Sequence, residues 1–309
     1  VMITGGLGFI GSNLARQLVD LGAEVLLVDS LIPDYGGNTF NIDGLESRVR
    51  VNVADVRQQS TMNYLVQGQD VIFNLAGQVS HIDSMQDPYT DLDINCRSQL
   101  CVLEACRRNN PAVKVVYAST RQLYGRPDSL PVTEQHLVRP TDVNGINKAA
   151  GEYYHLVYNN VFGVRACSLR LTNVYGPRQD PSSPYSGVIS IFANRLAAGQ
   201  GITIHGDGGQ TRDFIAVADI VRFLLAGMAH ARATPGAIVL NACTGHATSI
   251  TTLATLIARL VGASPDFAHG PSREGDIRAS IGDPTRAAAT LGVRANTDLE
   301  TGLRALLRG

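Results

Sequence analysis

The sequence has no excess of charge of either sign and no long hydrophobic run. Its 26 lysine and arginine residues are balanced by 27 aspartate and glutamate residues, which gives a formal net charge of −1. A balanced chain has no general attraction to nucleic acid or to an anionic membrane surface, so we expect neither partner. No run approaches the roughly 18 apolar residues that a membrane-spanning helix needs. No secretory signal precedes the first predicted strand, and we therefore expect a cytoplasmic protein.

Cysteine is scarce and is not arranged for metal binding or disulfide chemistry. The five cysteines form no C-x-x-C pair, and none stands near a histidine at the spacing of zinc ligands. We expect buried free thiols and no metal site. The seven histidines are scattered, without a local pattern of the serine-hydrolase type. The remaining composition, 44% hydrophobic and 17% charged, is typical of an ordinary globular protein.

Glycine, in contrast, is abundant where the chain begins. Gly5, Gly8 and Gly11 follow the short apolar run 1–4 and precede an amphipathic segment, which predicts a strand, a tight turn and a helix. Such a turn lets the backbone approach a pyrophosphate, whose charge is held by free N–H groups and the helix dipole. A second apolar run ends on Asp29, 18 residues after Gly11. A carboxylate there accepts hydrogen bonds from the adenosine ribose and repels a 2′-phosphate, which favours NAD over NADP.

Short apolar runs and helical stretches alternate along the first half of the chain, and the runs lead to polar or small residues such as Asp55, Gly77 and Asn173. This alternation predicts an α/β fold with a doubly wound parallel sheet that binds its ligands at the carboxyl ends of the strands. After about residue 175 the segments become shorter. We therefore predict a Rossmann domain over 1–174, to which 215–243 return. A smaller interleaved C-terminal substrate lobe is predicted over 175–214 and 244–309.

Several motifs together resemble the extended short-chain dehydrogenase/reductase superfamily, in particular its NAD-dependent nucleotide-sugar epimerases and dehydratases. The resemblance covers nearly the whole chain, and the order and spacing of the motifs are more specific than any one of them. The matching segments are 4–11 (TGGLGFIG), 74–77 (NLAG), 118–120 (AST), 123–125 (LYG), 147–148 (NK), 169–177 (LRLTNVYGP), 212–214 (RDF) and 273–276 (REGD).

The resemblance implies a tightly held NAD that oxidises a sugar hydroxyl to a ketone and later returns the hydride. In that family a tyrosine four residues before a lysine is the general base. The lysine binds the nicotinamide ribose and lowers the tyrosine pKa, while a serine or threonine hydroxyl bonds the reacting oxygen. Thr120 and Lys148 match two members of this set, and Asn144 occupies the position of the tyrosine.

Asn144 is the main departure from the family pattern. An asparagine side chain is neutral and cannot accept a proton at physiological pH, although it donates and accepts hydrogen bonds. Three interpretations stay open: a catalytically silent relative that binds NAD and a nucleotide sugar, an engineered knock-out, and an active enzyme whose base lies elsewhere. We favour the third, with Lys148 acting through water, Tyr124 or His81 as the base.

A second departure separates the subclasses. The sugar 4,6-dehydratases that resemble this chain carry an Asp-Glu pair directly after the threonine, where this chain has Arg121 and Gln122. Neither residue is a carboxylic acid, which disfavours 4,6-dehydration. Arg121 is a candidate for binding a carboxylate or diphosphate oxygen, so sugar acids stay open as substrates. We predict an epimerase most similar to UDP-glucose 4-epimerases. A nucleotide-sugar dehydratase or decarboxylase, or an inert binding relative, is the alternative.

The resemblance also implies a set of site residues. The catalytic positions are Thr120, Asn144 and Lys148. The expected NAD contacts are Gly5, Gly8, Phe9, Ile10, Gly11, Asp29, Ser30, Asp55, Val56, Leu75, Ala76, Gly77, Asn95, Ser119, Lys148 and Val174, with Asp55 meeting the adenine amino group. The expected contacts of a nucleotide-diphosphate sugar, UDP-linked by the resemblance, are Ser84, Arg121, Asn173, Val188, Arg212, Arg273 and Asp276. Arginines and neutral donors suit a diphosphate.

Two long predicted helices, 91–109 and 144–160, resemble those that pair two subunits into a four-helix bundle in this family. We therefore predict a homodimer. The candidate apolar contacts are Leu100, Leu103, Leu156 and Val157, and the alternative is that these side chains face the sheet.

Overall fold

The computed structural model describes residues 1–33, 35–179, 187–265, 267–272 and 277–308. The strands are β1 (Met2–Thr4), β2 (Val25–Asp29), β3 (Val49–Val53), β4 (Val71–Asn74), β5 (Lys114–Thr120), β6 (Arg165–Leu171), β7 (Asn173–Tyr175), β8 (Thr203–His205), β9 (Thr211–Arg212), β10 (Phe214–Ala216), β11 (Ile238–Ala242), β12 (Thr248–Ser249) and β13 (Ala268–Gly270). The helices are α1 (Phe9–Asp20), α2 (Gln59–Leu65), α3 (His81–Gln86), α4 (Pro88–Leu92), α5 (Ser98–Asn109), α6 (Val143–Phe162), α7 (Val188–Ala197), α8 (Val217–Ala233), α9 (Ile250–Val261), α10 (Thr285–Leu291) and α11 (Leu299–Leu306). Short 3₁₀ helices cover Thr39–Ile42 and Arg121–Tyr124, and a π-helical turn covers Asp93–Arg97.

Within the described residues, seven parallel strands form the central sheet in the order β3-β2-β1-β4-β5-β6-β11. The strand order reverses between β1 and β4, and a crevice opens there at the carboxyl ends of the strands, which is where such sheets bind ligands. The predicted doubly wound α/β fold is confirmed. The late strand β11 completes the sheet beside β6, while the division of the chain into two lobes stays a prediction.

Helices cover both faces of the sheet. On one face α1 and α8 pack against each other and over a core that includes Leu27, Leu169 and Phe223. On the other face α2, α5 and α6 cover a second core around Ile72 and Val115. Because both faces are covered, the central strands are nearly continuous apolar runs rather than alternating ones.

A third core lies apart from the sheet. It is formed where α7 packs on α9, together with side chains from β8, β10 and α11. Its fully buried residues include Ile204, Leu253, Ile257 and Leu303.

The predicted helix 91–109 is present and contains a π-helical turn. α4 ends at Leu92, the π-helical turn Asp93–Arg97 follows, and α5 begins at Ser98. A π turn inserts an extra residue into a helix and often marks a functional site. Here it carries Asn95, whose side chain is fully buried.

α6 carries Asn144 and Lys148 and has a defined cap at each end. Asp142 caps its first turn, where Oδ1 accepts a hydrogen bond of 2.7 Å from the backbone N–H of Gly145. Gly163 ends it in the left-handed region at φ 75°, which glycine adopts without steric cost.

The candidate dimer contacts differ in their exposure. Leu103 is fully buried in the second core, so it is not available for a subunit contact. Leu100 and Leu156 are partly buried, whereas Val157 is 49% exposed.

All five cysteines are buried free thiols, as predicted. In the part of the chain that the structure describes, no helix combines the length and apolarity needed to cross a membrane.

Candidate active site and cofactor cleft

A cleft of about 240 Å³ opens at the carboxyl ends of β1, β2 and β4. The glycine turn, the end of β2, the residues after β3 and the loop after β4 form its walls. Most of the expected NAD contacts line it, namely Gly5, Gly8, Phe9, Ile10, Gly11, Asp29, Ser30, Asp55, Val56, Leu75, Ala76 and Gly77. The cleft therefore brings together segments that lie far apart in the chain.

The glycine turn has room for a phosphate but not for side chains. Gly5 has a φ of +66°, and a Cβ there would lie 3.0 Å from the backbone of Ala76. A Cβ on Gly11 would lie 2.2 Å from the carbonyl oxygen of Gly5. No side chain caps the first turn of α1, and no acidic residue occupies it. The N–H groups and the positive end of the helix dipole therefore fit the pyrophosphate of NAD.

Asp29 is held rigidly at the end of β2. Its Oδ2 accepts a hydrogen bond of 3.1 Å from the backbone of Leu7, and its Oδ1 accepts one of 3.0 Å from Leu31. A Cβ on Gly37 would lie 2.6 Å from Oδ1, so glycine leaves the carboxylate uncovered. The remaining lone pairs suit the hydroxyls of an adenosine ribose.

The opposite wall of this end of the cleft holds a residue that sequence reasoning missed. The Arg57 guanidinium contacts both carboxylate oxygens of Asp55, with Nε 3.0 Å from Oδ1 and 2.9 Å from Oδ2. These hydrogen bonds hold the pKa of Asp55 below its usual range. The Asp-x-Arg spacing of residues 55 and 57 is the sequence pattern that could have indicated this pair. Tyr35, Gln78 and Gln179 also line the cleft without a motif that could have identified them.

Four expected NAD contacts are not part of the cleft wall: Asn95, Ser119, Lys148 and Val174. Asn95 lies directly behind the loop after β4. Its Nδ2 donates to the carbonyl oxygen of Gln78 at 3.0 Å, and its Oδ1 accepts from the N–H of Gln78 at 3.1 Å. Asn95 thus satisfies both backbone groups of one cleft residue and sets the position of this loop.

Thr120 and Lys148 approach the cleft from β5 and α6. Thr120 is the last residue of β5, and its hydroxyl accepts a hydrogen bond of 3.2 Å from the backbone N–H of Gln122. The Lys148 side chain is buried, and its Nζ lies 2.5 Å from the point where a Cβ on Gly77 would stand. Burial lowers the pKa of Lys148 to about 8, although the nearby Asp91 carboxylate opposes this shift.

Asn144 is fully buried and belongs to a polar cluster. Its Nδ2 lies 2.9 Å from Oε1 and 3.0 Å from the carbonyl oxygen of Gln78, and 2.9 Å from Oδ2 of Asp91. The amide therefore connects α6 to the cleft loop and to α4. A neutral amide engaged in this way is a structural donor and not a base.

Of the other candidate bases, Tyr124 has its hydroxyl engaged by two protein side chains. Its hydroxyl donates to Oδ1 of Asn241 at 2.7 Å and accepts from Nη1 of Arg170 at 2.7 Å. Burial raises its pKa to about 12. His81 is exposed at the start of α3 and is not part of the cleft wall. Lys148 is not part of the cleft wall either, but its Nζ lies directly against Gly77, which is.

The expected sugar-nucleotide contacts are only partly brought together. Arg121 donates through Nε to Oδ1 of Asn173 at 3.2 Å, so these two side chains are neighbours. Arg212 donates through Nη1 to two backbone carbonyl oxygens. Ser84 is buried: its hydroxyl donates to a carbonyl oxygen in its own helix and accepts from the backbone N–H of Asn144, so it is not open to a ligand. Val188 begins α7.

Arg273 and Asp276, which the resemblance also implied as sugar-nucleotide contacts, lie outside the described residues.

Residues 1–243 match the family described as NAD dependent epimerase/dehydratase. The chain belongs to this family. It is 34% identical over 304 residues to a UDP-glucose 4-epimerase of Mycolicibacterium smegmatis, a match that covers 98% of this chain and 95% of the relative.

Two solved structures of the family have the same fold along the whole chain. The UDP-glucose 4-epimerase of Thermotoga maritima, solved with UDP-glucose, superposes with a TM-score of 0.92 at 31% identity and covers 99% of this chain and 97% of its own. The Thermus thermophilus UDP-glucose 4-epimerase, solved with NAD, has a TM-score of 0.88 at 31% identity and the same coverage. The predicted family and NAD as its cofactor are confirmed.

The chain, as a member of this family, combines a cleft lined by most of the expected NAD contacts with an asparagine at position 144 of α6. The glycine turn, Asp29 and Lys148 stand where the family pattern expects them, while position 144 carries an amide that faces Asp91. Acid–base chemistry at this site therefore needs a group other than residue 144.

Proposed function

We propose that the chain is an NAD-dependent nucleotide-sugar epimerase that works by transient oxidation of a sugar hydroxyl. The observation that carries this proposal is the buried ammonium of Lys148 against Gly77 in the cleft wall. A desolvated lysine is costly to a protein that only binds ligands, and perturbed titratable groups concentrate at catalytic sites.

The cofactor part of the reaction uses residues that are already in place. When bound, NAD accepts a hydride from the sugar carbon and returns it to the opposite face. The glycine turn holds the pyrophosphate, Asp29 the adenosine ribose and Asp55 the adenine amino group. Thr120 lies at the end of β5, where its hydroxyl is a hydrogen-bond donor for the reacting oxygen.

The substrate that we propose is a UDP-linked sugar. The similar proteins from M. smegmatis and T. maritima are both named UDP-glucose 4-epimerases, and the second was solved with UDP-glucose. The adjacent Arg121 and Asn173 offer a fixed cation and a neutral amide, which suit a diphosphate or a sugar carboxylate. 4,6-Dehydration stays disfavoured because Arg121 and Gln122 replace the acid and base of that reaction.

The test of this function is the fate of the hydride. The purified protein is incubated with UDP-glucose, UDP-galactose and UDP-glucuronate, each deuterated at the carbon that reacts, and products are identified by NMR. An epimerase interconverts two sugars and keeps the deuterium on the same carbon, because the hydride never leaves the site. Binding of a sugar nucleotide without conversion would instead identify an inert relative. Mass spectrometry of any co-purifying nucleotide sugar selects the first substrate to test.

We also propose that the protein is a homodimer. Tyr153, Val157 and Val161 recur every four residues along α6 and are 49%, 49% and 66% exposed. Residues at this spacing form one stripe on a helix, and an exposed apolar stripe is stabilised by burial against a partner. A second copy of the chain offers the same stripe across a two-fold axis.

Light scattering at micromolar concentration tests this assembly. We expect a dimer for the wild type and a folded monomer for Val157→Glu. Tyr64→Glu is the matched control, because Tyr64 is 75% exposed on α2 and lies outside the stripe. A monomeric wild type would refute the proposal.

A further inference from the structure

We propose that Lys148 is the proton acceptor of the proposed epimerase, and that Asn144 is a positioning residue that engages the Asp91 carboxylate so that the lysine has no ionic partner. This inference rests on the proposed function and assigns the proton transfer within it. It accounts for Asn144 as part of the site rather than as a missing base.

The Asp91 carboxylate is saturated by amide donors. Asn147 donates through Nδ2 to Oδ1 at 2.7 Å, while Asn95 and Asn144 each donate to Oδ2 at 2.9 Å. All four side chains are at least 95% buried. Three amides thus take the place of water around this anion, and none of them carries a charge.

Lys148 is not paired with a carboxylate. Among the described residues, no carboxylate oxygen lies within 4.0 Å of its Nζ. The titratable groups that face the ammonium are Asp91 from α4 and Tyr117 from β5, whose ring centroid lies 5.8 Å away. Tyr117 is fully buried, and its pKa is raised by burial, so it stays neutral. Desolvation therefore dominates, and the pKa of Lys148 falls to about 8.

A lysine in this state is a usable base near neutral pH. A measurable fraction of it is the free amine, whose lone pair accepts a proton. An ion pair with Asp91 would favour the ammonium and abolish this capacity. Asn144 opposes such a pair because it supplies one of the three amides that hydrogen-bond Asp91. The same amide nitrogen also contacts Gln78, which links the Asp91 carboxylate to the loop after β4.

The buried histidine near the site does not compete for this role. His155 stacks on Tyr117 with ring centroids 4.3 Å apart, and its Nδ1 pairs with the carbonyl oxygen of Gly151 at 2.7 Å. Burial lowers its pKa to about 4. It lies about two helical turns beyond Lys148 on α6.

The proton and electron balance of the step is simple. The sugar O–H bond breaks and its proton forms an N–H bond at Nζ of Lys148, directly or through one water. The C–H electron pair leaves with the hydride to NAD, and the C–O bond becomes a carbonyl. The reverse step returns the hydride to the other face and the proton from Nζ to the oxygen, so no oxidant is consumed.

The first test measures the lysine itself and does not depend on activity. The chain has only two lysines, Lys114 and Lys148, so protein labelled with ¹³C at lysine Cε gives two NMR signals. Lys114→Arg assigns them and leaves the site intact. We expect the Lys148 signal to titrate near pH 8 in the cofactor-free protein. Titration above about pH 10, the ordinary range of a lysine, would overturn the proposal.

The same signal tests the role of Asn144. In Asn144→Ala, Asp91 loses one amide and its charge acts more strongly on the lysine, so the Lys148 midpoint should move to higher pH. Asn160→Ala, an exposed asparagine on the same helix, is the control and should leave the midpoint unchanged. An unchanged midpoint in Asn144→Ala would show that Asn144 has no influence on Lys148.

Kinetics then separates proton transfer from ribose binding. Lys148→Arg keeps the positive charge and the donors but cannot release a proton near neutral pH. We expect it to bind NAD and to lose roughly 10²–10⁴-fold in kcat, the usual contribution of a general base. Lys148→Ala should be rescued by methylamine and not by guanidinium. Equal rescue by both cations, or full activity of Lys148→Arg, would assign Lys148 only to binding.

Failure of the proposed function gives a different pattern. A wild type that converts none of the sugars, with a Lys148 signal that still titrates near pH 8, would remove the epimerase assignment and leave the unpartnered lysine in place. A wild type that converts sugars with Lys148 fully charged would keep the epimerase and remove this proposal.

Discussion

The adenosine end of the cleft and its catalytic end are built in different ways. At the adenosine end the backbone of the glycine turn and the carboxylates of Asp29 and Asp55 line the cleft. Asp29 accepts hydrogen bonds from two backbone N–H groups, and Asp55 accepts them from Arg57. At the catalytic end Asp91 and Asn144 are buried and hydrogen-bonded to other side chains. The first end binds, whereas the second controls the charge of one lysine.

This difference explains why one end follows the family pattern and the other departs from it. A pyrophosphate and a ribose constrain the backbone directly, so the glycine turn has little freedom to vary. A proton acceptor needs only a suitable pKa and position, and more than one side chain can supply both. The catalytic end can therefore exchange its base while the cradle for the cofactor stays the same.

The largest effect that we expect comes from removing the anion at the catalytic end. Asp91→Leu leaves the Nδ2 group of Asn147 without its acceptor and takes one acceptor from Asn95 and from Asn144, which keep their hydrogen bonds to Gln78. The cost is roughly 1–3 kcal/mol for each N–H left unpaired. We expect a loss of several kcal/mol in the free energy of unfolding, measured by urea denaturation. Asp93→Leu is the control: its carboxylate is 42% exposed and forms only a surface pair with Arg97. Similar stabilities of the two variants would contradict the proposed cluster.

The next effect has the opposite sign. The pKa of Lys148 is lowered from 10.5 to about 8, so the folded protein bears the cost of a buried charge below pH 8. At about 1.4 kcal/mol per unit, Lys148→Met should stabilise the cofactor-free protein by roughly 3 kcal/mol at pH 7. Between pH 8 and 10.5 the unfolded wild type binds more protons than the folded one, so its stability rises with pH.

Thermal unfolding across this pH range checks the prediction. The advantage of Lys148→Met should shrink from pH 8 upward and vanish above about pH 10.5, where the lysine is neutral in both states. Lys114→Met controls for the loss of a lysine whose Nζ hydrogen-bonds a backbone carbonyl at the surface. A destabilised Lys148→Met at pH 7 would indicate that the ammonium has a stabilising partner.

The sequence predicts the two ends of the cleft to different extents. The parallel sheet and the cofactor cleft followed from local patterns, because apolar runs, glycine turns and terminal carboxylates are readable within one βα unit. The helix predicted over 91–109 is present, but its π turn was not predictable from local periodicity. The π turn Asp93–Arg97 is held by hydrogen bonds of Asn95 to Gln78, 17 residues earlier, and no local periodicity reports them.

The catalytic end depended even more on contacts between distant residues. The spacing to Lys148 identified Asn144 as a departure, but its partners Asp91 and Gln78 lie 53 and 66 residues earlier in the chain. The hydrogen bond of Tyr124 to Asn241, which lies 117 residues later, was equally beyond the reach of a local pattern. Residue types and spacing thus predicted which positions matter, while the roles depended on tertiary packing.

At the adenosine end we expect smaller effects, on binding alone. Asp29→Ala should weaken NAD binding by roughly 1–3 kcal/mol, the scale of a lost charge-assisted hydrogen bond. Calorimetric titration with NAD and NADP checks this, and the wild type should prefer NAD. Asp29→Asn keeps an oxygen for the backbone of Leu31 or Leu7 without the charge, so it should retain the fold and reduce the preference for NAD. A wild type that prefers NADP would remove Asp29 from the ribose.

The smallest effect tests whether Arg57 aims Asp55 at the adenine. In Arg57→Leu the carboxylate loses its two-point contact, so its hydrogen bond from the adenine amino group should weaken. The deamino cofactor, which carries an oxygen in place of that amino group, cannot make this bond. NAD should therefore lose roughly 0.5–1 kcal/mol more than deamino-NAD when Arg57 is replaced, the coupling expected for groups in contact. Arg57→Lys keeps the charge without the planar fork and should fall between the two. Equal losses for both cofactors would mean that Arg57 supports the wall of the cleft and does not orient Asp55.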